Sequence, residues 1–369
     1  MTLKSQTEMT NGIVLFCPTK NWGGIEKNVW LRAKYFGEKG YRVFVVILQN
    51  RFAEKFEGLP NVEIKSVDKR GGDINVFVLL NYYRFLKKVK PYVVFAALKR
   101  DWWLVSFSAF LAGVPNTILY LGNKRKIRTG PKYRLVFKKL KAKVLVNSES
   151  LKEHLLSTSA FFNENNVHRI YNGIELPDAN GEKRDYRKLL NLHEDSYVVG
   201  CAGWLNLRKG IDLLPDILLE LPDTIQIVHV GKGGFELNME KLIEENKEVR
   251  HRMHFLGHES NMDAFFRGID LFLLCSRSEG MANVLNEALG HGLPIVSTKV
   301  PGSEELLDNG QYGILTEIED THAMARGIVD IYQQKIRFTP ENQQNRIIGQ
   351  FSLQKMMAKT EELFLANTK

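Results

Sequence analysis

The chain predicts an α/β protein of two doubly wound, Rossmann-like domains. Three observations carry that prediction. Short Val- and Ile-rich runs alternate with helix-period segments through nearly all of the 369 residues. The runs are apolar without interruption, as in parallel strands covered by helices on both faces. The alternation also breaks once, over residues 171–195 ("YNGIELPDANGEKRDYRKLLNLHED"), where turn formers and charges replace it before it restarts.

Taken in order, the first half offers strands at "GIVLFC", "YRVFVVIL", "VEIKSV", "YVVFAA", "TILYL", "KVLVNS" and "VHRIY". Helices are predicted at "IEKNVWLRAKYFGEKG" and "INVFVLLNYYRFLKKV", where apolar residues recur at helical spacing. The second half offers strands "YVVGCAG", "IQIVHVG", "MHFLG", "LFLLCS" and "PIVST". Between them fall helices "GIDLLPDILLEL", "ELNMEKLIEENKEV", "MDAFFRG" and "NVLNEALGHG". The domains are therefore placed at residues 1–176 and 190–350, followed by an amphipathic helix within 351–369 that no strand follows.

A composition of 44% hydrophobic and 25% charged residues is that of an ordinary soluble globular protein. Cys17, Cys201 and Cys275 lie far apart in apolar runs and form no CxxC pair, so they read as reduced core residues. The first residues, "MTLKSQTEMTNG", hold no signal-peptide core, and the tract "WWLVSFSAFLAGVP" falls short of the ~20 residues of a membrane span. The expected location is the cytoplasm.

Charge is unevenly spread within a net of +9. Residues 1–176 carry 30 Lys and Arg against 13 Asp and Glu, while the remainder carries 21 against 29, giving +17 and −8. The run bounded by Lys124 and Lys143, "KRKIRTGPKYRLVFKKLKAK", has ten basic residues and no acid. Such a run suits an anionic membrane surface, a phosphorylated substrate or nucleic acid, and an ordinary exposed helix face looks the same.

Three turns at predicted strand ends carry candidate chemistry. In "SRSEGMANVLNEALGHGLPIV" Glu279 precedes a helix beginning near Asn283, and Glu287 lies one turn inside it. The amides of Met281 to Val284 are open to phosphate at that helix start. Each carboxylate can accept two hydroxyl hydrogen bonds, as a sugar or ribose diol requires. By local chemistry alone the pair equally fits a dipole-complementing cap plus a surface residue. "GWLNLRKGIDLL" puts Arg208 and Lys209 at a Gly203-led turn, where a diphosphate could be neutralised, though a solvated basic turn has the same residues. "NWGGIEKNVW" places Gly23 and Gly24 between a strand and a helix, for close ligand approach or simply for a tight turn. Neither G-x-G-x-x-G nor a Walker A loop occurs, which counts against nicotinamide and ATPase chemistry. No D-x-D occurs either, so no metal site is expected and positive charge must come from Arg, Lys and helix starts.

Together, "SRSEG…NEALGHGLPIVST…PGSEELL", "WGGIEKNVWLRAKYFGEKGYRV", "VNSESLKEHL" with "IYNGIEL", "GWLNLRKG" and "VGKGG" resemble the E-x7-E retaining glycosyltransferases of family 4. That resemblance implies the GT-B fold, two Rossmann-like domains facing each other across a cleft, with the last helix crossing back onto the first domain. It implies that Glu279 holds the donor sugar, ringed by the amides of Gly280, Met281, Ala282, Asn283 and Val284. Glu287 would hold the ribose, and Lys209 with Arg208 the diphosphate leaving group. The Gly23-Gly24 loop would cover donor phosphates or frame the acceptor, while Gly203, Lys232, Gly257 and His258 would surround the nucleotide. Two departures stand out. Trp204 follows Gly203 where the family often has Arg, and no His precedes His154, so Lys99, Arg100 or Asp101 of "AALKRDWW" are the acceptor-side candidates.

The expected activity is metal-independent, cofactor-free, retaining transfer of a sugar from a nucleotide diphosphate, UDP by family frequency. The expected acceptor is a lipid-linked or cell-envelope glycan, such as lipopolysaccharide core, or another phosphorylated acceptor. The basic run would draw the protein to the inner face of the cytoplasmic membrane, and nucleic acid is not the expected partner. A sugar-nucleotide 2-epimerase of the same fold, a transferase with a soluble acceptor and a non-catalytic nucleotide-binding protein are the alternatives.

Overall fold

The computed structural model describes residues 12–68, 75–124, 127, 130–178, 180–233 and 239–366, to which every count below refers. The chain forms two compact units, Met1–Tyr171 with Met356–Lys369, and Asn172–Lys355.

The first unit is built from β1 (Ile13–Phe16), α1 (Gly24–Glu38), β2 (Val43–Leu48), β3 (Val62–Val67), α2 (Val76–Val89), β4 (Val93–Ala96), α3 (Trp102–Ala112), β5 (Asn116–Leu121), α4 (Pro131–Arg134), β6 (Lys143–Val146), α5 (Glu149–Thr158) and β7 (Val167–Arg169). Its seven parallel strands run β3-β2-β1-β4-β5-β6-β7. β1, β2, β4 and β5 are buried at every residue, which is why their sequences show no alternation. β3, at the sheet edge, alternates half-buried Val62 and Ile64 with exposed Glu63 and Lys65.

The second unit begins with Asn172, so much of the segment that breaks the pattern packs here. α6 (Tyr186–Leu189) is capped by Asp185 and buries Tyr186 against Phe265. Then follow β8 (Tyr197–Ala202), α7 (Leu214–Leu219), β9 (Ile225–Val230), α8 (Met239–Glu245), β10 (Met253–Phe255), α9 (Met262–Gly268), β11 (Leu271–Leu274), α10 (Asn283–Gly290), β12 (Ile295–Thr298), α11 (Pro301–Leu306), β13 (Ile314–Thr316), α12 (Thr321–Tyr332) and α13 (Pro340–Arg346). The parallel sheet order is β10-β9-β8-β11-β12-β13. Where one helix is expected from Gly210 to Leu221, a 3-10 turn (Ile211–Leu213) precedes α7, because Pro215 lacks an N–H and settles in a helical first turn. α11, β13, α12 and α13 were not anticipated, although Pro301 and Pro340 stand at first turns.

α14 (Leu353–Leu365) starts in the second unit and joins the first from Met356 onward. Phe364 stacks on Phe36 at 5.3 Å, and Asn116 Nδ2 donates to the carbonyls of Phe364 and Ala366 at 3.3 and 3.0 Å. Where the chain enters and leaves the second unit, Ile174 and Ser352 form a parallel bridge. All three cysteines are buried with free thiols, and burial pushes each thiol pKa up, that of Cys275 to about 12. Among the described residues no helix is long and apolar enough to cross a membrane. Arg125, Lys126 and Arg128 of the basic run, and Gly234 of "VGKGG", lie outside the described residues.

Candidate functional site

In each sheet the strand order reverses at one point, and ligands of open α/β sheets bind beyond the carboxyl ends of the strands there. In the second unit that point lies between β8 and β11, which pair with Val199 opposite Leu271. Loops 71 positions apart in sequence therefore emerge side by side. The loop after β8 forms the turn Leu207–Lys209, with Asn206 accepting from the Lys209 amide. Gly210 follows at φ +68°, and a Cβ there would lie 2.0 Å from the Cys275 carbonyl oxygen, so the close approach to the end of β11 needs glycine.

That approach assembles an ionic cluster. Lys209 Nζ lies 2.7 Å and Arg208 Nη1 3.3 Å from Glu279 Oε1, and Ser276 Oγ donates to the same oxygen at 3.0 Å. Arg208 also donates to the Ser278 carbonyl at 2.9 Å. Among the described residues none donates to Oε2. The Lys209 and Glu279 side chains are only 11% and 8% exposed, so each charge needs the other. Behind them Arg277 forms a bidentate pair with Asp212 at 2.7 and 2.8 Å, and its amide donates to the Arg208 carbonyl at 2.8 Å.

α10 starts beside this cluster. Its cap residue, Ala282, supplies no side-chain hydrogen bond. A Cβ at Gly302 would lie 2.4 Å from the Gly280 oxygen and 2.6 Å from Met281 Cα, so the start of α11 backs the loop closely. Met281 and Ala282 are buried, Asn283 and Val284 half-buried. Asn172 donates to Asn283 Oδ1 at 2.8 Å and accepts from Asn286 at 3.1 Å, pinning the helix from below. Glu287 is half-buried one turn on. His291 bonds the Glu287 carbonyl and Asp263 Oδ1, each at 2.8 Å, a structural arrangement.

The loops after β8, β9 and β10 touch in series. A Cβ on Gly231 would lie 1.8 Å from the Gly203 oxygen, and the Gly231 amide donates to the Gly257 carbonyl at 2.6 Å. Lys232 Cε would be 3.8 Å from a Cβ on Gly257, and His258 follows, exposed. Trp204 is 45% exposed, with its ring against Gly233. Beneath the turn, His229 is buried with neither ring nitrogen hydrogen-bonded among the described residues, and burial, reinforced by the Lys209 charge, lowers its pKa to about 4.

In the first unit the order reverses between β1 and β4. A crevice of about 380 Å³ opens there, lined by Thr19, Lys20, Lys99, Arg100 and Tyr120 among others. Asp101 is fully buried and lies outside the lining, 3.7 Å from Arg100 Nε. Gly23 caps α1 at φ −163°, a conformation open to any residue, and a Cβ there would meet only Glu26 Oε2 at 3.4 Å. A tight turn therefore does not require that glycine. Burial raises the Glu26 carboxyl pKa, against opposing hydrogen bonds from backbone and Thr19 and the charge of Arg100. Among the described residues no group of three or more His, Cys, Asp or Glu could hold a metal ion.

Residues 196–334 match the family model Glyco_trans_1_4, described as glycosyl transferases group 1. The O-antigen biosynthesis glycosyltransferase WclY of Escherichia coli is 33% identical over 140 residues, and the match spans 38% of this chain and 39% of that protein. The UDP-Gal:alpha-D-GlcNAc-diphosphoundecaprenol alpha-1,3-galactosyltransferase of Escherichia coli is 24% identical over 306 residues, 78% of each chain. The structure of HepE from Anabaena, in complex with UDP and glucose, superposes with a TM-score of 0.78 at 20% identity, covering 96% of this chain and all of that one. The fold is GT-B.

Within this GT-B chain the described structure brings Glu279, Arg208 and Lys209 together, and joins Gly203, Lys232 and Gly257 through Gly231. Lys99 and Arg100 line the separate crevice of the first unit, whereas Gly23 and Gly24 do not. Sequence reasoning missed Ser276, the Arg277–Asp212 pair, Asn172 and His229. Only Arg277 offered a signal, as a charge two positions before Glu279.

Proposed function

We propose that the protein is a retaining, metal-independent glycosyltransferase that moves a sugar from a UDP-sugar to an acceptor hydroxyl on a lipid-linked or cell-envelope glycan. The observation that carries this is the Lys209–Glu279–Arg208 cluster at the start of α10, at the reversal point of the second sheet. Two cations and helix amides without a side-chain cap stand ready for a diphosphate, and the Oε2 of Glu279, to which no described residue donates, for a sugar hydroxyl. The match of residues 196–334 to the glycosyl transferases supports the reaction class. The UDP-Gal and lipid diphosphate in the name of the galactosyltransferase relative support the choice of donor and acceptor.

In the proposed reaction the bond from sugar C1 to the β-phosphate oxygen breaks, and the electron pair leaves with UDP. The acceptor oxygen bonds to C1 on the same face, and its proton passes to the departing phosphate oxygen. Lys209, Arg208 and the amides of α10 stabilise the charge that builds there, the largest contribution expected at such a site. Glu279 orients the sugar and Glu287 the ribose, while Lys232, Gly257 and His258 flank the nucleotide. Lys99 and Arg100 face the acceptor, on the cytoplasmic side of the membrane.

Glu279→Ala should lower kcat by roughly 10²–10³-fold while the circular dichroism spectrum stays that of the parent. Near-normal turnover by that variant would end the assignment.

A further inference from the structure

α3 contains no charged residue in its 11 positions, WWLVSFSAFLA. A helix apolar all round belongs in a core or against lipid. At ~16 Å this one is too short to span a bilayer. One side, with Trp102, Val105 and Ala109, is buried in the first unit's core. The other side, Trp103, Phe107, Phe110 and Leu111, follows helical spacing and is half-buried at the first two positions and exposed at the last two. Trp103 and Phe107 stack at 5.4 Å and are partly exposed, while Phe110 and Leu111 are 57% and 45% exposed.

α2 packs alongside, with Ser108 Oγ donating to the Leu79 carbonyl at 3.2 Å. Its outer face presents Val76, Phe77 and Leu80, with Phe77 86% exposed. Five large exposed apolar side chains on two adjacent helices are more than the scattered singles of an ordinary surface. Cations frame them. Exposed Arg84, Lys87 and Lys88 continue the outer face of α2, Lys87 and Lys90 share a hollow with Ala112 and Gly113, and Lys132 Nζ lies 5.8 Å over the Trp103 ring. Neither helix contains an acid.

We propose that this face docks on an anionic phospholipid leaflet, with Phe77, Phe110 and Leu111 entering the acyl boundary and the flanking lysines meeting headgroup phosphates. Charge complementarity favours lipid over a protein partner: neither helix carries an acid, Glu63 in the hollow beside Arg84 and Lys88 is paired with Arg42, and residues 1–176 carry +17. The purpose of the docking rests on the lipid-linked acceptor proposed above; its geometry does not.

The test is co-sedimentation of the full chain with phosphatidylglycerol–phosphatidylethanolamine vesicles, against phosphatidylcholine vesicles. The triple variant F77S/F110S/L111S should lose at least about tenfold in partitioning. The charge variant K87E/K88E should lose about tenfold at low salt and little at high salt. Wild-type protein that ignores anionic vesicles at low salt overturns the proposal. So does a serine triple variant that sediments like the parent, or one that only converts a dimer into a monomer. Thermal stabilisation by UDP-sugar is read in parallel. If it is absent while vesicle binding holds, the transferase reading fails alone; if vesicle binding is absent while it holds, the docking face fails alone.

Discussion

Glu279 Oε1 gathers an ammonium, a guanidinium and a hydroxyl at a site where both principal side chains are almost out of water. An unpaired carboxylate there would face a heavy desolvation cost, so the cations that suit a diphosphate also hold the Glu279 side chain in place. His229 lies under the same turn and makes the fold sensitive to pH. Its folded pKa of about 4 lies below the ordinary histidine value of about 6.5, so the unfolded chain takes up the proton first as pH falls. The associated stability is complete above about pH 6.5 and is lost progressively toward pH 4. Urea denaturation should show a loss of roughly 2 kcal/mol between pH 7 and pH 5 from this group, and His229→Phe should flatten that slope. Parallel slopes for parent and variant would refute the assignment. At this scale the sequence disclosed Glu279, Arg208 and Lys209, because charged residues at turns between strand and helix are conspicuous. It did not disclose His229, which reads as one polar residue inside "IQIVHVG", nor Ser276 or Asp212, whose partners lie in distant segments.

Strands and loops tell a different story from side chains. Uninterrupted apolar runs marked the buried strands well, since a strand covered on both faces selects apolar residues at every position. Three of the four missed elements were short, β13 with three residues and α11 and α13, both proline-led, with six and seven, whereas α12 runs for twelve residues without a proline. The donor-side loops depend instead on glycines that let backbones touch. Gly231, at φ +139° and 1.8 Å from the Gly203 oxygen through any added Cβ, has no room to give. Gly231→Ala should cost at least about 3 kcal/mol and abolish stabilisation by UDP-sugar. Gly310→Ala, with a positive φ but nothing within 4 Å, should cost only about 1 kcal/mol. Equal melting temperatures for the two variants would show that the loop contact is slack.

On the scale of the whole molecule, the C-terminal residues complete a core begun more than 300 positions earlier. Phe364 stacks on Phe36 and leans on Phe95, while Glu361 pairs with Lys39 at 2.5 Å and accepts from Tyr35 at 2.9 Å. Deleting residues 356–369 should destabilise the first unit by on the order of 5 kcal/mol, from the lost burial of Met356, Met357, Leu363 and Phe364. Hydrogen exchange should rise in β1, β4 and α1 and stay unchanged in β8 and β11; an equal rise in both sheets would contradict it. By itself the sequence determined the fold class, the strand runs and the chemistry each loop offers, because periodicity and turn residues are properties of neighbours along the chain. Only the tertiary structure decided that the loops after β8 and β11 meet, and that Phe77, Phe110 and Leu111 on α2 and α3 are exposed. Strand order and burial depend on pairings between distant segments, which no local pattern encodes.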